Sequence, residues 1–175
     1  YYTIARLLKD AEKEEGRKVA LVGEITPAMP YLYGEDEGPP KLFDFLLDGP
    51  ETDYPLFSAP KPSVSVTDHM IGLYVSSLIQ DGGTVQIGIG SLGDSICNAM
   101  IMRHKHNDVY KQVLNELGIK ERFGKEIEKF GGDDPFRKGL FVNSEMAVEG
   151  FFNLFDEEIL KRRCYDNLGL QKLIN

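Results

Sequence analysis

A chain of 175 residues can bury a real core, and a single α/β domain is the default expectation for that length. Its 42% hydrophobic and 27% charged residues suit a globular protein, no apolar run is long enough to cross a bilayer, and the start carries no secretory pattern. A net charge of -8 argues against nucleic acid and anionic membrane as partners, since both reward clustered Lys and Arg, but not against a small anion held by backbone N–H groups.

Residues Thr3 to Glu14 set Ile4, Leu7, Leu8 and Ala11 on one face, the pattern of an amphipathic helix. Lys18 to Val22 reads as a short buried strand. Between Pro27 and Pro62 lie eight of the nine prolines and the acidic run Glu35-Asp36-Glu37. Proline fixes φ and removes a donor, so this stretch is expected to be mostly extended loop, with one short ordered element over Leu42–Leu47. A helix from Asp68 to Gln80 is expected next, capped by Thr67 and stopped by Gly82-Gly83, with Ile71, Val75, Leu78 and Ile79 inward. Thr84 to Ile89 alternates as a strand should. A glycine-rich turn, Gly88 to Gly93, leads into a helix through Asp94 to Met102. Residues 103–138 are charged and largely helical, with Asn107 as an N-cap and Gly118 as a C-cap. Gly139 to Val142 makes a last strand, and a Phe-rich helix follows Glu145. This order of helices and strands implies an α/β sheet with parallel pairs. The start at Tyr1 and the end at Asn175 both read as cuts from a longer protein.

Gly88-x-Gly90-x-x-Gly93 sits between strand and helix, the setting of a dinucleotide fingerprint. Glycines let backbone approach a ligand, and a helix N-terminus offers unpaired N–H groups to negative charge. The nucleotide reading also requires a second strand ending in Asp or Glu about 20 residues on. Arg103-His104-Lys105-His106-Asn107-Asp108 is not strand-like, so that reading stands as an alternative, beside a tight turn with no ligand.

The wider context resembles a known family. Asp81-Gly82-Gly83-Thr84-Val85-Gln86-Ile87-Gly88-Ile89-Gly90-Ser91-Leu92-Gly93-Asp94-Ser95-Ile96 is similar to the D-G-x-T-x-Q-x-G-I-G-x-x-P-D-A signature of the acetyl-CoA hydrolase/transferase family. Glu24-Ile25-Thr26-Pro27-Ala28-Met29-Pro30 resembles its E-V-N-P-x-M-P segment, with Gly34 close behind. Asn143-Ser144-Glu145-Met146 resembles its H-[ST]-E-M motif. The three matches occur in order over residues 24 to 146. The chain departs in placing Gly93 at the family proline and Asn143 at the motif histidine, in the longer segment before Glu145, and in lacking the family's glycine-rich C-terminal segment.

The resemblance implies an open, mostly parallel α/β sheet of the type shared by CoA-transferases and certain sugar-phosphate isomerases. It implies that residues 1–63 complete a preceding domain, and that 64–175 form a truncated CoA-transferase domain with a helical insertion at about 103–138. It also implies CoA transfer between carboxylic acids, or hydrolysis, through a thioester on Glu145. Gly88, Ile89, Gly90, Ser91 and Gly93 would offer backbone N–H groups to CoA or to the thioester oxyanion, with Gln86, Asn143, Ser144 and Met146 as motif neighbours. The partners would be an acyl-CoA and a small carboxylic acid, with CoA as a substrate, no metal or other cofactor, and self-association left open. The rival is a non-catalytic domain that keeps the fold.

Other residues read more plainly. Cys97 and Cys164 have no metal-like pairing, which suits a cytoplasmic protein without a structural disulfide. Cys97 falls within a helix and is expected in the core. His69, His104 and His106 have no ligand partner at metal spacing, and His104 and His106 are expected in solvent. Glu149, four residues beyond Glu145, could share a helix face with it, though a solvated surface role is expected. Phe151, Phe152 and Phe155 at helical spacing are expected in the core. The insertion, with Lys105, Lys111, Lys120 and Lys125, is expected near the mouth of the site.

Overall fold

The computed structural model describes residues 2–16, 18–31, 37–58, 60–165 and 168–174. Gly34 and the acidic residues Glu35 and Asp36 lie outside them. Contacts divide the chain into two units, Tyr1–Ser58 and Ala59–Asn175.

In the N-terminal unit, helix α1 spans Tyr2–Glu15, and strands β1 (Val22–Glu24) and β2 (Phe45–Leu47) pair in parallel, Val22 opposite Phe45 and Glu24 opposite Leu47. The strand starts later than Lys18 because the preceding residues are claimed by side chains. Val19 donates its N–H to Glu12 and its carbonyl accepts from Lys9 Nζ, while the Leu21 N–H donates to Asp44. Two short 3-10 turns, Pro40–Leu42 and Pro50–Thr52, each begin on a proline whose missing N–H costs nothing at a helix start. The ordered element expected over 42–47 is thus the end of one turn followed by β2. Ile4, Leu7 and Leu8 of α1, and all of β2, are exposed.

The C-terminal unit holds the core. Helix α2 (Val66–Ser77) is capped by Ser65, not Thr67. The Asp68 N–H donates to the Ser65 hydroxyl, and the Ser65 N–H donates back to the Asp68 carboxylate, a capping box that satisfies the orphan donors of the first turn. The helix ends at Ser77, where the Leu78 N–H turns back to the Val75 carbonyl, ahead of Gly82-Gly83. Gly82, at φ 86°, instead shapes the turn into β3 (Thr84–Gln86). Helix α3 (Ser91–Lys105) packs closely on α2: a Cβ on Gly72 would lie 2.7 Å from the Ser95 carbonyl oxygen. Helices α4 (Asn107–Glu116) and α5 (Ile119–Phe130) follow, joined at Gly118, whose φ of 65° suits glycine. Asn107 begins α4 as its first residue, and its amide donates to the carbonyls of Arg103 and Asp133. Strand β4 (Phe141–Asn143) then pairs in parallel with β3, and helices α6 (Glu149–Asp156) and α7 (Leu168–Ile174) complete the chain.

One core cluster, including Ile87, Cys97, Met100, Phe136, Leu140 and Leu154, lies between the sheet and helices α3 and α6. A second, of Leu73, Ala99, Tyr110, Leu114, Ile119 and Ile127, joins α2 and α3 to α4 and α5. The architecture is α/β with parallel pairs, and the β3–β4 connection passes through three helices. Among the described residues no helix is long and apolar enough to cross a membrane.

Two expectations about packing are corrected. Phe151 packs against the core, but Phe152 and Phe155 are 61% and 67% exposed, because α6 turns only one stripe inward. Residues 103–138, expected near the mouth of the site, return to the sheet at its amino edge, away from the turn after β3. The return segment is anchored there by Asp81, whose carboxylate accepts the N–H groups of Arg137, Lys138 and Gly139. A helix after a parallel strand runs back, so what joins it to the next strand begins at the opposite edge from the strand's own exit.

Candidate functional site

The β3–β4 register decides which residues meet. Gln86 lies opposite Asn143, and the Ile87 N–H continues the ladder by donating to the Asn143 carbonyl at 3.1 Å. The residues that follow on the two strands are Gly88 and Ser144. The turn Gly88–Gly93 and the segment Ser144–Met146 therefore leave the carboxyl edge side by side. In open α/β sheets that edge is where ligands gather.

Within the turn the glycines differ. Gly93 is demanded by packing: a Cβ there would sit 2.3 Å from the Gly88 carbonyl oxygen and 3.1 Å from Ile87 Cγ2. Proline also carries a Cβ, so this turn in its present conformation does not admit proline at position 93. Gly90, at φ 120°, caps α3 with no side-chain bond. A Cβ on Gly88 or Gly90 would meet nothing within 4 Å, so neither glycine is needed for packing. Ile89 is exposed, and Ser91 opens α3, its hydroxyl engaged with Asp68. The Ser65 N–H and hydroxyl, and then Ser91, hold the Asp68 carboxyl below its ordinary range.

On the neighbouring segment Gln86, Asn143 and Glu145 are exposed and Met146 is half-buried. Ser144 Oγ is buried and has no hydrogen-bond partner among the described residues. Glu145 lies on a bend four residues ahead of α6, so it does not serve as that helix's first-turn charge. Glu149 takes that place and pairs with Lys61, and it shares no helix with Glu145.

A cleft of about 480 Å³ runs between α3, α6 and residues 61–64, lined by Lys61, His69, Asp94, Cys97, Asn98 and Glu149 among others. Asp94 of the motif lines it, but neither the glycine turn nor Glu145 does, so the carboxyl edge remains the better candidate site. Cys97 belongs to the core, as its place within a helix predicts. Burial, and then Asp94, pushes its thiol up to about 12, which leaves it protonated and a poor nucleophile. Among the described residues no three His, Cys, Asp or Glu side chains are grouped to hold a metal.

Three of the lysines between 103 and 138 are committed: Lys105 to Glu157, Lys111 to Asp134 and Lys120 to Asp133. His104 is not solvated as expected. Its Nδ1 accepts the Phe136 N–H at 3.1 Å, and burial, then Lys161 and Lys105, lowers its pKa. Arg103 is the residue that sequence reasoning missed. It is 1% exposed, donates to the carbonyls of Ser76, Ile79 and Asp134, and lies 4.2 Å over the Phe136 ring. Burial lowers its pKa, but a guanidinium stays charged in proteins. Its spacing of three and four residues from Met100 and Ala99, on the buried stripe of α3, was the available signal.

No protein-family model matches the chain. It is similar to the succinyl-CoA:cyclohexane-1-carboxylate CoA transferase of Geobacter metallireducens, with 27% identity over 96 residues, 55% of this chain and 21% of that protein. It is also similar to the 4-hydroxybutyrate coenzyme A transferase of Clostridium kluyveri, with 26% identity over 102 residues, 58% of this chain and 22% of that protein. The matches thus span about a fifth of the length of these curated relatives. Both are named as CoA transferases, the class that the three motifs resemble.

Proposed function

We propose that this chain contributes the nucleophile and a backbone anion site to an enzyme that moves CoA between carboxylic acids. The observation that carries the reading is the β3–β4 register, which sets the glycine turn beside the segment bearing Glu145. The similarity to two CoA transferases supports the reaction class.

In this reading the Glu145 carboxylate attacks the thioester carbonyl of an acyl-CoA and expels CoA thiolate, leaving a mixed anhydride. The thiolate attacks the glutamyl carbonyl, which releases the first acid as its carboxylate and leaves CoA in thioester linkage on Glu145. An incoming carboxylate attacks that thioester, thiolate leaves, and its attack on the new acyl carbonyl restores Glu145 and yields the new acyl-CoA. Water in place of the second acid makes the same site a hydrolase. Carboxylates are weak nucleophiles, so the rate depends on placement and on exclusion of water. N–H groups of the turn at Gly88–Gly93 and the start of α3 stabilise the oxyanion. The Asn143 amide, at the family's histidine position, offers a neutral donor beside Glu145. The exposed apolar faces of α1 and β2 support assigning residues 1–63 to a domain of which this chain carries only part.

Incubating the intact protein with acyl-CoA is expected to add the mass of CoA to the peptide bearing Glu145, and borohydride is expected to reduce that thioester. Glu145→Gln and Glu145→Asp should both abolish transfer while leaving the fold intact, because aspartate is one methylene too short. Near-normal activity of Glu145→Asp with no adduct on the peptide would refute the mechanism.

A further inference from the structure

The Ser144 hydroxyl is buried without a hydrogen-bond partner among the described residues, one residue before Glu145. Nearly all buried polar groups are satisfied, and an orphan left in place calls for an explanation. The segment between β4 and α6, residues 144–148, has no helix or strand, so it carries no ladder that would resist a rearrangement. Glu145 on this segment is exposed, the wrong environment for a carboxylate that must attack a thioester away from bulk water. The two neighbours are thus both poorly placed in one arrangement, the hydroxyl buried without a partner among the described residues and the carboxylate exposed.

We propose that Ser144 is a positioning residue for Glu145, and that the arrangement described is the resting one. On loading of the acyl-CoA, residues 144–148 shift so that the Ser144 hydroxyl gains a partner and Glu145 leaves solvent. The unpaired hydroxyl destabilises the resting arrangement and so favours the loaded one. This inference rests on the reading of Glu145 as nucleophile. It assigns to position 144 a requirement for a hydroxyl that packing alone does not impose, since alanine would fill the same place without an unpaired group.

The test compares Ser144→Ala and Ser144→Thr with the unsubstituted intact protein, reading the melting temperature and the rate of CoA-adduct formation on the Glu145 peptide. Ser144→Ala is expected to melt higher and to form the adduct about tenfold more slowly, since losing the orphan relieves a cost of that order in the resting state alone. Ser144→Thr, which keeps the hydroxyl, should restore the rate. A purely structural role would move both readings together. If Ser144→Ala melts lower, the hydroxyl has a stabilising partner such as a buried water, and the inference is overturned. An adduct that forms at the unsubstituted rate in Ser144→Ala overturns it while leaving the Glu145 mechanism standing. If the unsubstituted protein forms no adduct, the Glu145 reading falls and this inference falls with it.

Discussion

The two units hold their shape by different means. In the N-terminal unit, no buried core hydrophobic occurs among the described residues, and Ile4, Leu7, Phe45 and Leu47 are all exposed. Its elements are tied by a polar knot in which Lys9 meets Asp44 at 2.6 Å and Glu12 at 3.0 Å while donating to the Val19 carbonyl. In the C-terminal unit, two apolar clusters fill the space between helices and sheet, and the principal buried charge, Arg103, is satisfied by carbonyls. Exposed ion pairs add little to stability, whereas apolar burial is the main driving force of folding. The same chain therefore combines a unit with its own core and one whose apolar side chains are largely exposed.

The largest effect should come from Arg103→Met. It strips three carbonyls, two of them in buried bonds, of a charged donor, and each such bond is worth about 1.5–3 kcal/mol, so urea denaturation should report a loss on the order of 3–5 kcal/mol. A loss below 1 kcal/mol would mean that the C-terminal core does not depend on this staple. Gly93→Ala should cost about 1–3 kcal/mol, because the added Cβ would press on the Gly88 carbonyl and force the turn apart. Thermal melting checks the cost, and unchanged stability would show that the turn yields freely.

Lowering the pH should separate the units. The folded pKa of His104 is held below its ordinary 6.5, so its contribution is complete above 6.5 and is lost as pH falls through the lowered value. Protonation places a proton on the Nδ1 that accepts the Phe136 N–H. The folded pKa of Asp44 is lowered below its ordinary 3.8, chiefly by Lys9, so its contribution is complete above 3.8 and is lost only as pH falls further. Hydrogen exchange followed by mass spectrometry from pH 7 to 3 should show residues 132–140 losing protection first and residues 19–24 and 43–47 later. The reverse order would contradict the assignment. The smallest effect is expected from salt. Raising ionic strength to 1 M should loosen residues 19–24 and 43–47 slightly, while protection of the C-terminal clusters holds or rises.

Much of the C-terminal unit was legible in the residues. Periodicity marked its helices, the glycine turn was found between strand and helix, and Gly118 sits at the positive φ that its place between α4 and α5 demanded. The errors lay where neighbours compete for the same backbone group. Thr67 and Ser65 are both cap residues, and Ser65 wins because Asp68 stands three places on to complete the box. Lys18–Leu21 has strand character, yet Glu12, Lys9 and Asp44 take its hydrogen bonds. His104 and Phe136 are 32 residues apart, so no local pattern could pair them.

By itself the sequence determined most of the helices and the strands β3 and β4, because propensity, capping and apolar spacing act within a few residues. It also determined the motif residues from Gln86 to Gly93 and from Asn143 to Met146. Only the tertiary structure decided that these two groups share one edge of a sheet, since that depends on the parallel register of strands more than fifty residues apart. It likewise decided that the stretch from 103 to 138 returns at the opposite edge, held by Asp81, that Arg103 is buried with partners, and that the Ser144 hydroxyl is buried with none among the described residues. Burial and hydrogen-bond satisfaction are properties of what surrounds a side chain, and most of those surroundings come from distant parts of the chain.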